Sequence, residues 1–362
     1  MYQNRNNYLS IAKGLGIIMM VMGHCGVPEL ICKYIYQFHM PLFFFCSGYF
    51  FKNIVDKKSL YSFYIKRIKG IYIKFLCWSF LFLSLHNVFF HLNIYNDTVL
   101  FHGEPSFLYS TSDFIQKAYK ITFSMNEHEL LLRSFWFLKQ LFLSSLLVST
   151  ILYITNTIAK HKYTQPLIFV FLLFMTLVSK HMDWSVPAIW DISLVFMSST
   201  FYFSGYIFHQ YGIINKIDKT IVHLFLTILS IIGLFTLPWT NMLEYTSISL
   251  IPFFIVAYSG IIITLCFSKR LEKTKLKNTF YYLGQNTMII FALHMLCFKI
   301  GNLVKIIIYD LPIYRLADFQ IIYEYNCLFW IVYTIIGISI PLLIDYYMKK
   351  NNVTKKIWNY FV

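Results

Sequence analysis

The chain has 362 residues, of which 58% are apolar, 20% aromatic and only 13% charged, against roughly 25% charged in an ordinary globular protein. So few charges cannot cover a water-soluble surface, and a disordered chain would not carry 37 Phe and 28 Tyr. The composition is that of a polytopic membrane protein and excludes a soluble enzyme, a secreted disulfide scaffold or a free nucleic-acid binder. The net charge of +15 acquires a meaning only once it is placed on a topology.

A bilayer core takes about 20 mostly apolar residues per helix. Ten candidate spans follow in chain order, near residues 9–27, 34–51, 71–92, 134–158, 165–180, 188–208, 220–237, 247–267, 285–308 and 326–347. The fifth is short, and the ninth carries Lys299 and Lys305. No small-residue cleavage site follows the first apolar run, which reads as a retained helix and not as a removed signal peptide. Ten spans return both termini to one side. With that side in the cytoplasm, 20 of the 31 Lys and Arg lie inside, 6 lie outside and 5 fall within spans. The acids run the other way, 11 outside and 3 inside, which is the positive-inside arrangement. Topology and anionic lipid account for most of the inner charge; a basic cytoplasmic face also suits a polyphosphorylated cosubstrate. No nucleic-acid recognition module accompanies it.

The expectation is an all-α, single-domain bundle over 1–362, with short outer segments except for residues 93–133. In that long loop, DFIQKAYKITF is expected to form a small surface helix, and a loop of this length is often a binding element. The seven Cys are odd in number, and Cys46, Cys77, Cys266 and Cys297 sit in apolar runs. They read as core or lipid-phase residues and give neither a disulfide framework nor a metal site. No internal repeat of the kind found in many secondary transporters is visible.

Ionisable groups inside spans are costly and each needs a reason. Lys13 and His24 are eleven residues apart in the first span. At 100° per residue they return to within about 20° of the same helical face, roughly 16 Å apart along the axis. Lys13 is either a snorkelling side chain or a cytoplasmic-end ligand. His24 is either a hydrogen-bonded core histidine or a reactive one. His39 lies near the outer end of the second span, next to Pro41, at a depth similar to that of His24. Arg67 and Lys69 form a basic turn at the inner mouth of the third span, suited to phosphate oxygens or simply solvated. Trp136 opens the fourth span in SFWFLKQLFL, where an aromatic-belt anchor is the ordinary reading. The ninth span holds Asn286 at its inner end and His294 near mid-membrane. Asp191, at the outer end of the sixth, is either a hydroxyl or histidine partner or a plain interfacial carboxylate.

Taken in order, these residues resemble the membrane acyltransferase-3 family. The first span supplies the basic-x10-His pattern in AKGLGIIMMVMGH, from Lys13 to His24. FHMPLFFFCSGYFF, KRIK, FWFLKQLF and LGQNTMIIFALH follow at the expected distances. Together the matches extend from about residue 5 to residue 300. Two positions depart from the family pattern: Lys13 stands where many members have Arg, and Ser10 where many have Asp. The resemblance is to the one-domain type, which is expected to lack the appended soluble domain of some members.

The resemblance implies a helical bundle around a central cavity in a bacterial cell membrane. It also implies an acyl-CoA cosubstrate, most often acetyl-CoA, with no tightly bound cofactor, and a glycan acceptor at the cell surface or on a lipid carrier. Lys13, Arg67 and Lys69 would then hold the CoA phosphates, with the pantetheine arm reaching up to His24. An apolar surrounding favours the neutral imidazole, so His24 is expected to take the proton of an attacking sugar hydroxyl; an acyl-His24 intermediate is the variant. His39, Trp136, Asn286 and His294 are candidates for positioning the acceptor or the thioester. A transporter or flippase, or a polymerase, of a lipid-linked glycan is the alternative.

Overall fold

The computed structural model describes residues 7–99, 105–126, 129–158, 163–186 and 190–362. Residues 1–6, 100–104, 127–128, 159–162 and 187–189 lie outside the described residues. In chain order the helices are α1 (Asn7–Gly23), α2 (Glu29–Tyr49), α3 (Lys57–Arg67), α4 (Ile73–His91), α5 (Thr111–Ser124), α6 (Trp136–Ile158), α7 (Thr164–His181) and α8 (Ile192–Gln210). They continue as α9 (Ile213–Ile217), α10 (Thr220–Thr236), α11 (Leu250–Leu271), α12 (Lys277–Gln285), α13 (Thr287–Tyr309), α14 (Phe329–Lys350) and α15 (Asn352–Trp358). A two-residue antiparallel pair, Ser185–Val186 with Trp190–Asp191, is the β-structure among the described residues.

The protein is thus an all-α, multi-pass membrane protein. Six helical runs among the described residues are long and apolar enough to cross a bilayer, and α1 and α10 are shorter apolar helices. One of the six is the continuous run Lys57–His91. Its first part lies within 52–70, a segment between the second and third expected spans. Asp56 starts the helix there, because its side chain accepts from Ser59 N while the Ser59 hydroxyl serves the Asp56 backbone. A π-helical turn, Ile68–Tyr72, joins α3 to α4.

The chain divides into two compact units. The first comprises residues 1–20, 29–70 and 140–285. Its centre is α8, buried along nearly its whole length and packed against α2 and α7, while α11 packs on α2 and α10. The contact of α2 with α8 depends on two glycines. A Cβ on Gly48 would lie 1.7 Å from the Tyr202 carbonyl oxygen, and one on Gly205 would lie 2.0 Å from that of Phe45. With no side chain at either position the two backbones touch, as membrane helices with small residues at their interface do. α10 turns only Ser230 and Gly233 inward and leaves Ile221, Leu224, Phe225 and Ile228 exposed. That apolar surface is at home in lipid and would be a liability in water.

The second unit comprises residues 21–28, 71–139 and 286–362. Here α13 is the buried helix, and α14 lies along it through Gly301 against Tyr333 and Gly337 against Phe298. The surface helix expected within 93–133 is present as α5, opened by a reciprocal Ser110–Asp113 cap. Its Ile115, Tyr119 and Phe123 form an exposed apolar stripe at i, i+4 and i+8, the pattern of a helix lying in a membrane interface.

Candidate active site

α1 ends at Gly23, so His24 sits in the turn that follows and not on the helix itself. Its backbone N donates to Val21 O at 3.1 Å, and Cys25 N donates to Met22 O at 2.9 Å. Asn326 secures that turn from the loop between α13 and α14, donating to Cys25 O at 3.1 Å and to Gly26 O at 2.8 Å. From the same loop, Gln320 Nε2 donates to His24 Nδ1 at 3.1 Å. Gln320 has a φ of 62°, a left-handed conformation that costs energy in a non-glycine residue and that the surrounding contacts must hold.

Those contacts come from α13. Lys299 Nζ donates to Asp318 O at 2.7 Å, and Lys305 Nζ donates to Ile322 O at 2.7 Å. Between them, Asn302 Oδ1 accepts from Ile322 N at 3.1 Å and from Tyr333 Oη at 2.7 Å. Within the loop, Arg315 pairs with Asp318 at 2.6 Å and Glu324 at 2.7 Å. The two lysines that made the ninth span look unusual therefore hold a carbonyl-rich strap in place. Their spacing with Asn302 (i, i+3, i+6) puts all three on one helical face.

His294, fully buried on α13, has its ring centroid 5.4 Å from that of His24, with the planes 31° apart. Its Nδ1 donates to Phe291 O at 2.9 Å and Ile290 O at 3.2 Å. Its Nε2 is buried and has no hydrogen-bond partner among the described residues. Phe298 lies edge-on at 5.6 Å, and Phe291 at 6.5 Å leads to Phe135, on which it stacks at 5.2 Å, and to Phe137 at 5.8 Å. Of the FWF sequence, the two phenylalanines thus join the aromatic wall beside the histidines, whereas the Trp136 ring contact is with its neighbour Phe137 at 6.5 Å. Asn286 occupies the N-cap position of α13.

The other expected site residues belong to the first unit. His39 is buried on α2, its Nδ1 donating to Ile35 O at 2.7 Å, with Tyr36 against its ring at 5.2 Å. Lys13 lies on α1 and Cys46 on α2. Arg67 closes α3, its Nη2 donating to Tyr202 Oη at 2.6 Å and its guanidinium 4.7 Å from the centroid of the Phe63 ring. Its Nε is buried with no hydrogen-bond partner among the described residues. Lys69 is exposed in the π-helical turn. Asp191 caps α8, its carboxylate accepting from Leu194 N at 3.1 Å.

Two further clusters had no sequence expectation. His86 on α4 is bonded on both ring nitrogens, to Glu129 at 2.9 Å and to Phe107 O at 2.9 Å, and stacks on Tyr109. This cluster ties Phe107, Tyr109 and Glu129 to α4. Asp218, His223 and Cys266 have their ligand atoms close enough to hold a metal ion. However, Arg270 donates to His223 Nδ1 at 2.9 Å, so a donor and not an acceptor stands behind the ring, and Nε2 lies 3.2 Å from Asp218 without a hydrogen bond among the described residues. Lys269 occupies the other Asp218 oxygen at 2.9 Å. A ligating nitrogen needs its lone pair and an acceptor behind the ring, so the group is arranged as an ion network.

The sequence profile of the acyltransferase-3 family, described as an acyltransferase domain, matches residues 6–346. No curated protein and no solved structure matches the chain.

Proposed function

Because the chain belongs to the acyltransferase-3 family and is a membrane acyltransferase, we propose that it transfers an acyl group, acetyl in the first instance, from cytoplasmic acyl-CoA. The proposed acceptor is a hydroxyl of a cell-surface or secreted polysaccharide or of its lipid-linked precursor. Lys13, Arg67 and Lys69 are the proposed contacts for the CoA phosphates, since ammonium and guanidinium groups match phosphate oxygens. His24 and His294 are the proposed centre of the chemistry.

The observation that carries this reading is the pair of imidazoles 5.4 Å apart, one of them fully buried, beneath a strap that donates to one ring. A fully buried histidine on an apolar membrane helix, such as His294, is a functional candidate by default. Neutral imidazoles can take a proton from an attacking hydroxyl and return it to a leaving thiolate.

The purified full chain in nanodiscs, given acetyl-CoA, should release CoA thiol. Cells lacking the gene should lose an acyl mass from a surface glycan. His24→Ala should abolish transfer while leaving membrane insertion intact. A transporter or flippase would release no thiol, and substantial activity in His24→Ala would remove that residue from the reaction.

A further inference from the structure

The two histidines are held in opposite tautomers, and the difference follows from their partners. An amide nitrogen can only donate, so the His24 Nδ1 that receives Gln320 Nε2 at 3.1 Å is a lone-pair nitrogen. Neutral His24 must then carry its proton on Nε2. The Oε1 of the same amide accepts from the Tyr323 hydroxyl at 3.3 Å. Backbone carbonyls can only accept, so the His294 Nδ1 that meets Phe291 O and Ile290 O is an N–H nitrogen. Neutral His294 then has a bare Nε2, the atom that is buried without a hydrogen-bond partner among the described residues.

Resting on the proposed acyl transfer, we infer that the labour is divided between the rings: His294 Nε2 is the base for the acceptor hydroxyl, and His24 Nε2–H is the donor that stabilises the thioester oxyanion, with Gln320 as the positioning residue that sets the His24 tautomer. In the forward step the hydroxyl proton passes to His294 Nε2 as the oxygen bonds to the thioester carbon. The carbonyl electrons move onto oxygen, which accepts a hydrogen bond from His24. Collapse of the tetrahedral adduct breaks the C–S bond, and the proton on His294 passes to sulfur. The products are the acyl ester and CoA thiol, and His294 is returned to its starting state.

The two geometries suit these roles. A base must keep its lone pair uncommitted until substrate arrives, which the His294 environment does. An oxyanion donor should point an N–H without reorganising, which is what a ring pinned from behind by Gln320 provides. The strained backbone of Gln320 and the buried Lys299, Asn302 and Lys305 that hold its loop give that pin its rigidity.

The decisive measurement is histidine 15N NMR on the full chain in nanodiscs, in which a bare and a protonated ring nitrogen give well-separated shifts. His24→Gln and His294→Gln each remove one set of signals from the eleven histidines and so assign the pair; selective labelling by position supplies the assignment if either variant fails to insert. The expected result is a bare Nδ1 at His24 and a bare Nε2 at His294. Gln320→Glu, which presents an acceptor in place of the donor, should move the His24 proton to Nδ1, a change that a merely structural side chain would not cause.

In thiol release from acetyl-CoA with water as acceptor, His294→Gln should lose about 10²–10⁴-fold, the usual worth of a general base. His24→Gln keeps an N–H near the same place and should lose less than the roughly 10²–10³-fold expected for deleting an oxyanion donor outright. A bare Nε2 on His24 in the wild type, or near-normal turnover in His294→Gln, would overturn the division. Absence of thiol release by the wild type would instead overturn the acyl-transfer reading, and the tautomers would still be measured.

Discussion

Replacing Asn302 by Ala tests whether the strap over His24 is held from α13. Asn302 is fully buried, and its Oδ1 accepts from Ile322 N at 3.1 Å and Tyr333 Oη at 2.7 Å, both donors being themselves fully buried. Truncation orphans two donors where water cannot reach them, each at a cost of about 1–3 kcal/mol. The loss should therefore be about 2–6 kcal/mol, concentrated in residues 313–326. Tyr333→Phe removes a donor without orphaning the Ile322 N–H. It should cost much less, near the roughly 0.6 kcal/mol typical of one side-chain hydrogen bond between membrane helices. Hydrogen exchange of the full chain in nanodiscs reads the difference: peptides from 313–326 should lose protection in Asn302→Ala and largely keep it in Tyr333→Phe. Thiol release should fall in the first variant because Gln320 rides on the same segment. If Asn302→Ala leaves the protection of 313–326 unchanged, the strap is not held through this residue and the reasoning fails.

Gly48→Ala or Gly205→Ala should lower the melting temperature of the detergent-solubilised protein by driving α2 and α8 apart, since overpacking costs about 1–3 kcal/mol even where side chains can adjust and here the obstacle is backbone. An unchanged melting temperature would mean that the two helices are not in contact there. Glu129→Ala removes the buried carboxylate bonded to the buried His86 ring at 2.9 Å and orphans that ring nitrogen, at a cost of about 1–3 kcal/mol. It should expose residues 105–110 to limited proteolysis, and a cleavage pattern like that of the wild type would refute the anchoring role. At α5, the Asp113 carboxyl is held below its ordinary value by hydrogen bonds from the Ser110 side chain and backbone. Its contribution is present above the ordinary Asp range and is lost as pH falls through the lowered value. Exchange protection of residues 111–124 should therefore drop in acid, and Asp113→Asn should remove that pH dependence.

Much of the architecture was legible along the chain, because hydropathy and charge are local properties that the bilayer reads segment by segment. α4, α6, α7, α11, α13 and α14 fall where apolar runs were expected. The α5 helix could be read from its own residues, since Ser110 and Asp113 cap it and Ile115, Tyr119 and Phe123 repeat at helical spacing. The helical stretch 57–67 lay outside what hydropathy reads, because its signal is the Asp56–Ser59 cap and the run that follows is polar.

What the sequence determined by itself was a multi-pass helical protein whose ordered motifs resemble one family, together with Lys13, Arg67, His24 and His294 as residues needing explanation. What only the tertiary structure decided was which of them meet. It put His294 beside His24, gave Phe135 and Phe137 rather than Trp136 to the aromatic wall, and brought Gln320 onto an imidazole 296 residues away. The physical reason is that a tautomer is set by the atom that faces it. That atom is chosen by how a loop without periodicity folds back, and in the linear pattern it left only the hint of Lys299, Asn302 and Lys305 lined up on one face of α13, polar groups in an apolar helix that had to be answered by something.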